Sequence, residues 1–76
     1  MPSIPTLSGQ EVVKVFSRCG WKVVRQRGSH IIMVKEGYTA TLSVPNHKEA
    51  AKGTLRSLIR LADLSIEQFL EEAKSV

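Results

Sequence analysis

The stretch from Trp21 to Val44 constrains the fold more than any other part of the chain. It is rich in β-forming residues and is cut twice by small-residue turn signals, Gly28-Ser29 and Glu36-Gly37. Trp21, Val23 and Val24 supply β-propensity to a first strand over Trp21–Arg27. His30–Lys35 reads as a second strand. Tyr38–Val44 reads as a third, with Tyr38, Ala40, Leu42 and Val44 alternating against Thr39, Thr41 and Ser43. Two-residue connections allow only antiparallel neighbours, so these segments form a meander. Pro45 ends the third strand.

Helical signals flank the meander. Ser8 and Glu11 make an S-x-x-E capping box ahead of Val12, Val15, Phe16 and Cys19, which recur on one helical face, and Gly20 supplies a stop. After the polar loop NHKEAAK, Thr54–Ala62 places Leu55, Leu58, Ile59 and Ala62 on one face and Arg56 and Arg60 on another. Asp63-Leu64 breaks that pattern. Ser65 and Gln68 form a second capping box, opening a last helix over 65–75 with Ile66, Phe69, Leu70 and Ala73 inward and Glu67, Glu71 and Glu72 outward. Pro2 and Pro5 keep the leader, residues 1–7, extended. The expected fold is therefore α+β: an α-β-β-β-α order, as in the double-stranded-RNA-binding domain, with helices on one face of a three-stranded antiparallel sheet and a short C-terminal helix. The opposite sheet face is left to solvent or to a ligand.

At 76 residues the chain is one domain, 1–76, with a thin core. A hydrophobic fraction of 42% excludes disorder. The single cysteine, Cys19, excludes an internal disulfide and lies in an apolar pattern. Cysteine and histidine spacings argue against a structural zinc site, so no metal or other cofactor is expected. No apolar run approaches a membrane span and the start does not read as a signal peptide, so the expected location is cytoplasmic. Residues 1–62 carry ten Lys/Arg against three Asp/Glu, while residues 63–76 carry one Lys against four Asp/Glu. A basic body with an acidic tail suits a polyanion partner; a surface tuned for solubility gives the same totals.

The chemistry-bearing candidates gather around RQRGSH, residues 25–30. Gly28 and Ser29 are small enough for close approach of a ligand, and Ser29 is either a turn residue or a phosphate contact. Arg25 and Arg27 lie two apart on one strand face and can hold phosphate oxygens, as can Lys22 or Lys35. His30 can exchange a proton at cellular pH. Beside an RNA phosphodiester it can deprotonate the adjacent 2′-hydroxyl while cations stabilise the developing charge, a reaction that needs no metal. The competing reading is an ordinary strand-end histidine. His47 is a second proton donor, a phosphate contact or a loop residue; Lys48 and Lys52 are a basic loop or solvated surface. Trp21 reads as core rather than a base-stacking platform, and Arg56, Arg60 and the terminal glutamates as solvated charges. Ser29 and His30 are not a nucleophilic pair, since neighbouring strand residues face opposite ways and no carboxylate orients the imidazole.

The strings GWKVVRQRGSH, SVPNHKE and KGTLRSLIRLADLSIEQFL together resemble the HicA family of toxins, also called YcfA-like, over about Ser8 to Leu70. The resemblance implies a small mRNA interferase, an endoribonuclease of toxin–antitoxin systems and the stress response. It also implies a double-stranded-RNA-binding-like fold, His30 as the essential histidine of the G-S-H motif, and a HicB-type antitoxin that neutralises the toxin by covering that surface. A module that binds RNA without cutting it, and an interaction protein that meets RNA incidentally, are the alternatives.

Overall fold

The computed structural model describes residues 4–76, so the expectation for Pro2 lies outside the described residues. The elements are α1 (Gly9–Arg18), β1 (Lys22–Arg27), β2 (His30–Val34), β3 (Leu42–Pro45), α2 (Lys52–Leu61) and α3 (Ile66–Ala73). The expected order is the observed one, and the sheet runs β1-β2-β3, antiparallel throughout.

Both capping boxes form. The Ser8 hydroxyl accepts from the Glu11 backbone N–H at 3.1 Å, and the Glu11 carboxylate accepts from the Ser8 N–H at 2.9 Å. Ser65 and Gln68 repeat the arrangement at 3.0 and 2.8 Å. Two helices end in a Schellman motif. At α1, Gly20 takes φ +99° while the Trp21 and Gly20 N–H groups donate to the carbonyls of Phe16 and Ser17. At α2 the same left-handed position is filled by Asp63, φ 60°, with Leu64 and Asp63 donating to Ile59 and Arg60. The start of α2 is different: Ala51 offers no side-chain cap and the first turn carries no acid. Packing holds this helix, through the buried Leu55, Leu58 and Ile59.

One core forms between the helices and one sheet face. Ile31 and Met33 from β2 and Leu42 and Val44 from β3 join Val12, Val15 and Phe16 of α1 and the apolar face of α2. Phe69 of α3 closes it, its ring 5.3 Å from that of Phe16 at 57°. An exposed Arg18–Glu72 ion pair at 3.0 Å ties α3 to α1. Ile4 of the leader is buried, and the Leu7 carbonyl accepts from the Ala50 N–H at 2.7 Å. Trp21 is core, as expected. No helix among the described residues is long and apolar enough to cross a membrane.

Several extents differ from expectation: β1 starts at Lys22 rather than Trp21, β2 ends at Val34 rather than Lys35, and α3 spans Ile66–Ala73 rather than 65–75. Helix α2 starts at Lys52 rather than Thr54, taking Gly53 into its first turn. The third strand is Leu42–Pro45 rather than Tyr38–Val44. The Glu36-Gly37 turn is present, closed by the Tyr38 N–H on the Lys35 carbonyl at 3.1 Å, but Tyr38–Thr41 then leave the ladder. Tyr38 instead lays its ring 5.7 Å from that of Trp21, with the Lys35 ammonium 4.9 Å from the Tyr38 ring centre. Covering a core tryptophan outweighs extending a short edge.

Two stability predictions follow from the helix ends. Asp63 bears left-handed strain and sets a negative charge at the negative end of α2; Asp63→Gly is expected to stabilise by about 0.5–1 kcal/mol, read as a higher thermal midpoint. The Ser8 backbone N–H, aided by the Ser8 hydroxyl, holds the Glu11 carboxyl below its ordinary value. Its stabilisation is therefore complete above the ordinary carboxylate range and is lost as pH falls through the lowered value. Glu11→Gln is expected to flatten the acid limb of stability against pH in urea denaturation.

Candidate functional site

The site is built on the β1–β2 hairpin. Gly28 takes φ +57° and Ser29 stays at negative φ, the pattern of a type II′ turn, in which glycine takes the first central position. Open space surrounds Gly28 where a Cβ would stand. The turn joins the paired residues Arg27 and His30. His30 thus starts the central strand, between Arg27 on one side and Pro45 on the other.

Strand alternation divides the sheet. Ile31 and Met33 point into the core, so His30, Ile32 and Val34 belong to the open face. Their partners follow: Arg27 opposite His30, Arg25 opposite Ile32, and Ser43 and Pro45 from β3. The register slips between Val23 and Arg25, leaving Val24 as an extra residue. This bulge resets the alternation, and Lys22, opposite Val34, joins Arg25 and Arg27 on the open face. A regular strand would have put it on the other side. Lys22, Arg25, Arg27 and His30 are all exposed. Ile32, flanked by Arg25 and Ser43, is only 9% exposed yet lies outside the main core cluster, a small apolar floor between polar neighbours.

The electrostatics of this face are one-sided. None of the seven Asp/Glu lies on a strand. The ion pairs among the described residues are Arg18–Glu72 and Lys74–Glu71, so the β1 cations are not neutralised by either.

The loop after β3 is fastened to the same end of the sheet. The Asn46 N–H donates to the Ser29 carbonyl at 2.6 Å, and the His47 carbonyl accepts from the Gly9 N–H at 2.9 Å. The Gln10 amide donates to the Asn46 side-chain oxygen at 3.1 Å. Through these bonds the exposed His47 and Lys48 sit in a loop held against the His30 turn and the start of α1. Gly9 makes the junction possible: a Cβ there would stand 2.2 Å from the Pro45 carbonyl oxygen and 2.8 Å from the Asn46 Cα. Sequence reasoning passed over Gly9 and Asn46; the glycine at the first position of a well-capped helix was the available signal.

Other candidates lie elsewhere. Lys35 is half-buried at the opposite end of β2, its stem against Gly20 at the end of α1 and its ammonium near Tyr38. There it complements the negative end of α1. Arg56 and Arg60 line a groove between α2 and α3 with Ile59, Leu64 and Ile66. Cys19 packs at the edge of the core, where burial first and Glu72 second push its thiol upward, away from the reactive thiolate. No group of three His, Cys, Asp or Glu among the described residues is placed to hold a metal ion.

Comparison with known proteins places the chain by family and by structure. The family model of the HicA toxin of bacterial toxin-antitoxin systems matches residues 9–64, a span that runs from the Gly9 junction to the end of the α2 Schellman motif. A solved structure, a toxin–antitoxin complex from Streptococcus pneumoniae, contains a chain that is 34% identical to this one, with a TM-score of 0.68. The match covers 76% of this chain and 98% of that one. No curated relative matches.

The Gly9 junction is testable by a matched pair of glycine substitutions. Gly9→Ala is expected to destabilise by about 1–3 kcal/mol and to shift the amide resonances of 46–48. Gly53→Ala, in open space within α2, is expected to stabilise by about 0.5–1 kcal/mol. Urea denaturation and amide NMR spectra read both.

Proposed function

This chain belongs to the HicA family of toxins of bacterial toxin–antitoxin systems, and we propose that it is an endoribonuclease that cuts mRNA in the cytoplasm at the open sheet face. The observation that carries the proposal is the pairing of His30 with Arg27, beside Arg25, on a face without acids.

The reaction uses the RNA's own nucleophile. His30 takes the proton from a 2′-hydroxyl, O2′ forms a bond to the adjacent phosphorus, and the bond from phosphorus to the 5′-oxygen breaks. The departing oxygen takes up a proton, leaving a 2′,3′-cyclic phosphate and a 5′-hydroxyl. Charge builds on the non-bridging oxygens, where Arg25 and Arg27 stabilise it. The Gly28-Ser29 turn admits the backbone closely, and Lys22 continues the cationic row along β1. His47 and Lys48, in the loop held against the turn, contact a neighbouring phosphate, and His47 is the candidate for the second proton donor. Lys35, half-buried at the far end of β2 against Gly20 and Tyr38, stands outside this row. A HicB-type antitoxin neutralises the toxin by covering this face.

The test is cleavage of a defined RNA in EDTA, with circular dichroism to confirm folding. His30→Ala is expected to lose about 10²–10⁴-fold in rate while RNA binding survives. Arg25→Ala with Arg27→Ala is expected to weaken binding and to reduce the slope of log affinity against log salt by about 1.4, two single-strand phosphate contacts. If the parent chain binds RNA but cuts none of a broad pool, the ribonuclease reading fails and a non-catalytic RNA-binding module replaces it.

A further inference from the structure

Strand β1 has β2 on one side and, among the described residues, no strand on the other. All six of its residues are exposed, so a row of backbone N–H and C=O groups faces outward along the sheet edge. Such an edge recruits another strand, and here the Val24 bulge and the cations of β1 restrict which strand can fit.

The side chains on this edge fall into two halves. Five large apolar side chains are exposed among the described residues, and three gather at the start of β1: Val23 at 50%, Val24 at 53%, and Tyr38 at 38% against Trp21. Solitary exposed apolar residues need no explanation, but a cluster on an unpaired edge marks an interaction surface. The second half is cationic. Arg25 and Arg27 follow the valines, Lys22 precedes them, and β1 holds no acid.

From this combination we infer that the free edge of β1 docks an extended acidic segment of the antitoxin, which adds to the sheet as a fourth strand. The inference rests on the antitoxin reading above and gives it a place and a chemistry. Backbone pairing supplies affinity; apolar residues opposite Val23 and Val24 and carboxylates opposite Arg25 and Arg27 supply selectivity. Two other occupants fit less well. A second copy of this chain would set its own Lys22, Arg25 and Arg27 against these, with like charges opposed across the ladder. RNA complements the arginines but neither pairs with a strand edge nor covers valines. An added strand on β1 also lies beside Arg25 and Arg27, so docking there withdraws the cations from RNA without entering the turn at His30.

The test uses this chain in complex with a HicB-type antitoxin. Amide hydrogen exchange is compared in the free toxin and in the complex, and antitoxin affinity and RNA cleavage are measured for Val23→Ser/Val24→Ser. The expected result is new protection of amides within 22–27, about a tenfold or greater loss of antitoxin affinity in the double variant, and unchanged cleavage by the free variant. An antitoxin that binds tightly while the β1 amides exchange as in the free toxin overturns the edge inference and leaves the antitoxin reading intact. An antitoxin that does not bind at all overturns both. Concentration-dependent protection of β1 without antitoxin assigns the edge to a second copy and also overturns the inference.

Discussion

Everything in this small domain depends on burying one sheet face and leaving the other free. Three short strands and three helices make a single core, with Ile31, Met33, Leu42 and Val44 on the sheet side and Val12, Phe16, Leu55, Ile59 and Phe69 on the helical side. With the helices committed to that layer, the alternation of β2 leaves His30 and Ile32 on the open side. Since a one-residue slip would invert every side chain, the apolar demand of Ile31 and Met33 also sets the position of His30.

The open face is positioned by backbone as much as by side chains. The His30 turn, the loop bearing His47 and the start of α1 are joined by main-chain hydrogen bonds from Asn46 to Ser29 and from Gly9 to His47. These bonds bring residues remote in sequence to one sheet end. The close approach tolerates no Cβ at Gly9, so helix packing and loop placement are one problem. A site assembled this way gains preorganisation from the fold itself, which suits the proposed catalysis by fixed charge around a phosphate.

Much of the architecture was legible beforehand because the local signals agree with one another. Ser8 and Glu11, Ser65 and Gln68, Gly20 and Gly28 each announce a boundary through local hydrogen bonding or a backbone requirement, and each formed as read. The third strand is shorter than its sequence implies: the alternation from Tyr38 is a genuine β pattern, but the competing attraction, Trp21, is distant in sequence. Helix α2 began earlier than expected because Gly53 discourages a helix locally, and only tertiary packing compensates.

By itself the sequence determined the order of elements, their capped ends, the apolar faces of the helices and the basic character of the body, since all of these rest on short-range periodicity and composition. It also determined the nearness of Arg27 to His30, because a two-residue turn leaves no choice of register. The tertiary structure alone decided that Lys22 shares a face with Arg25 and Arg27, that Lys35 stands apart from them, and that His47 comes to the turn. Each depends on a bulge, a remote aromatic contact or a backbone junction, and such contacts leave no periodic trace along the chain.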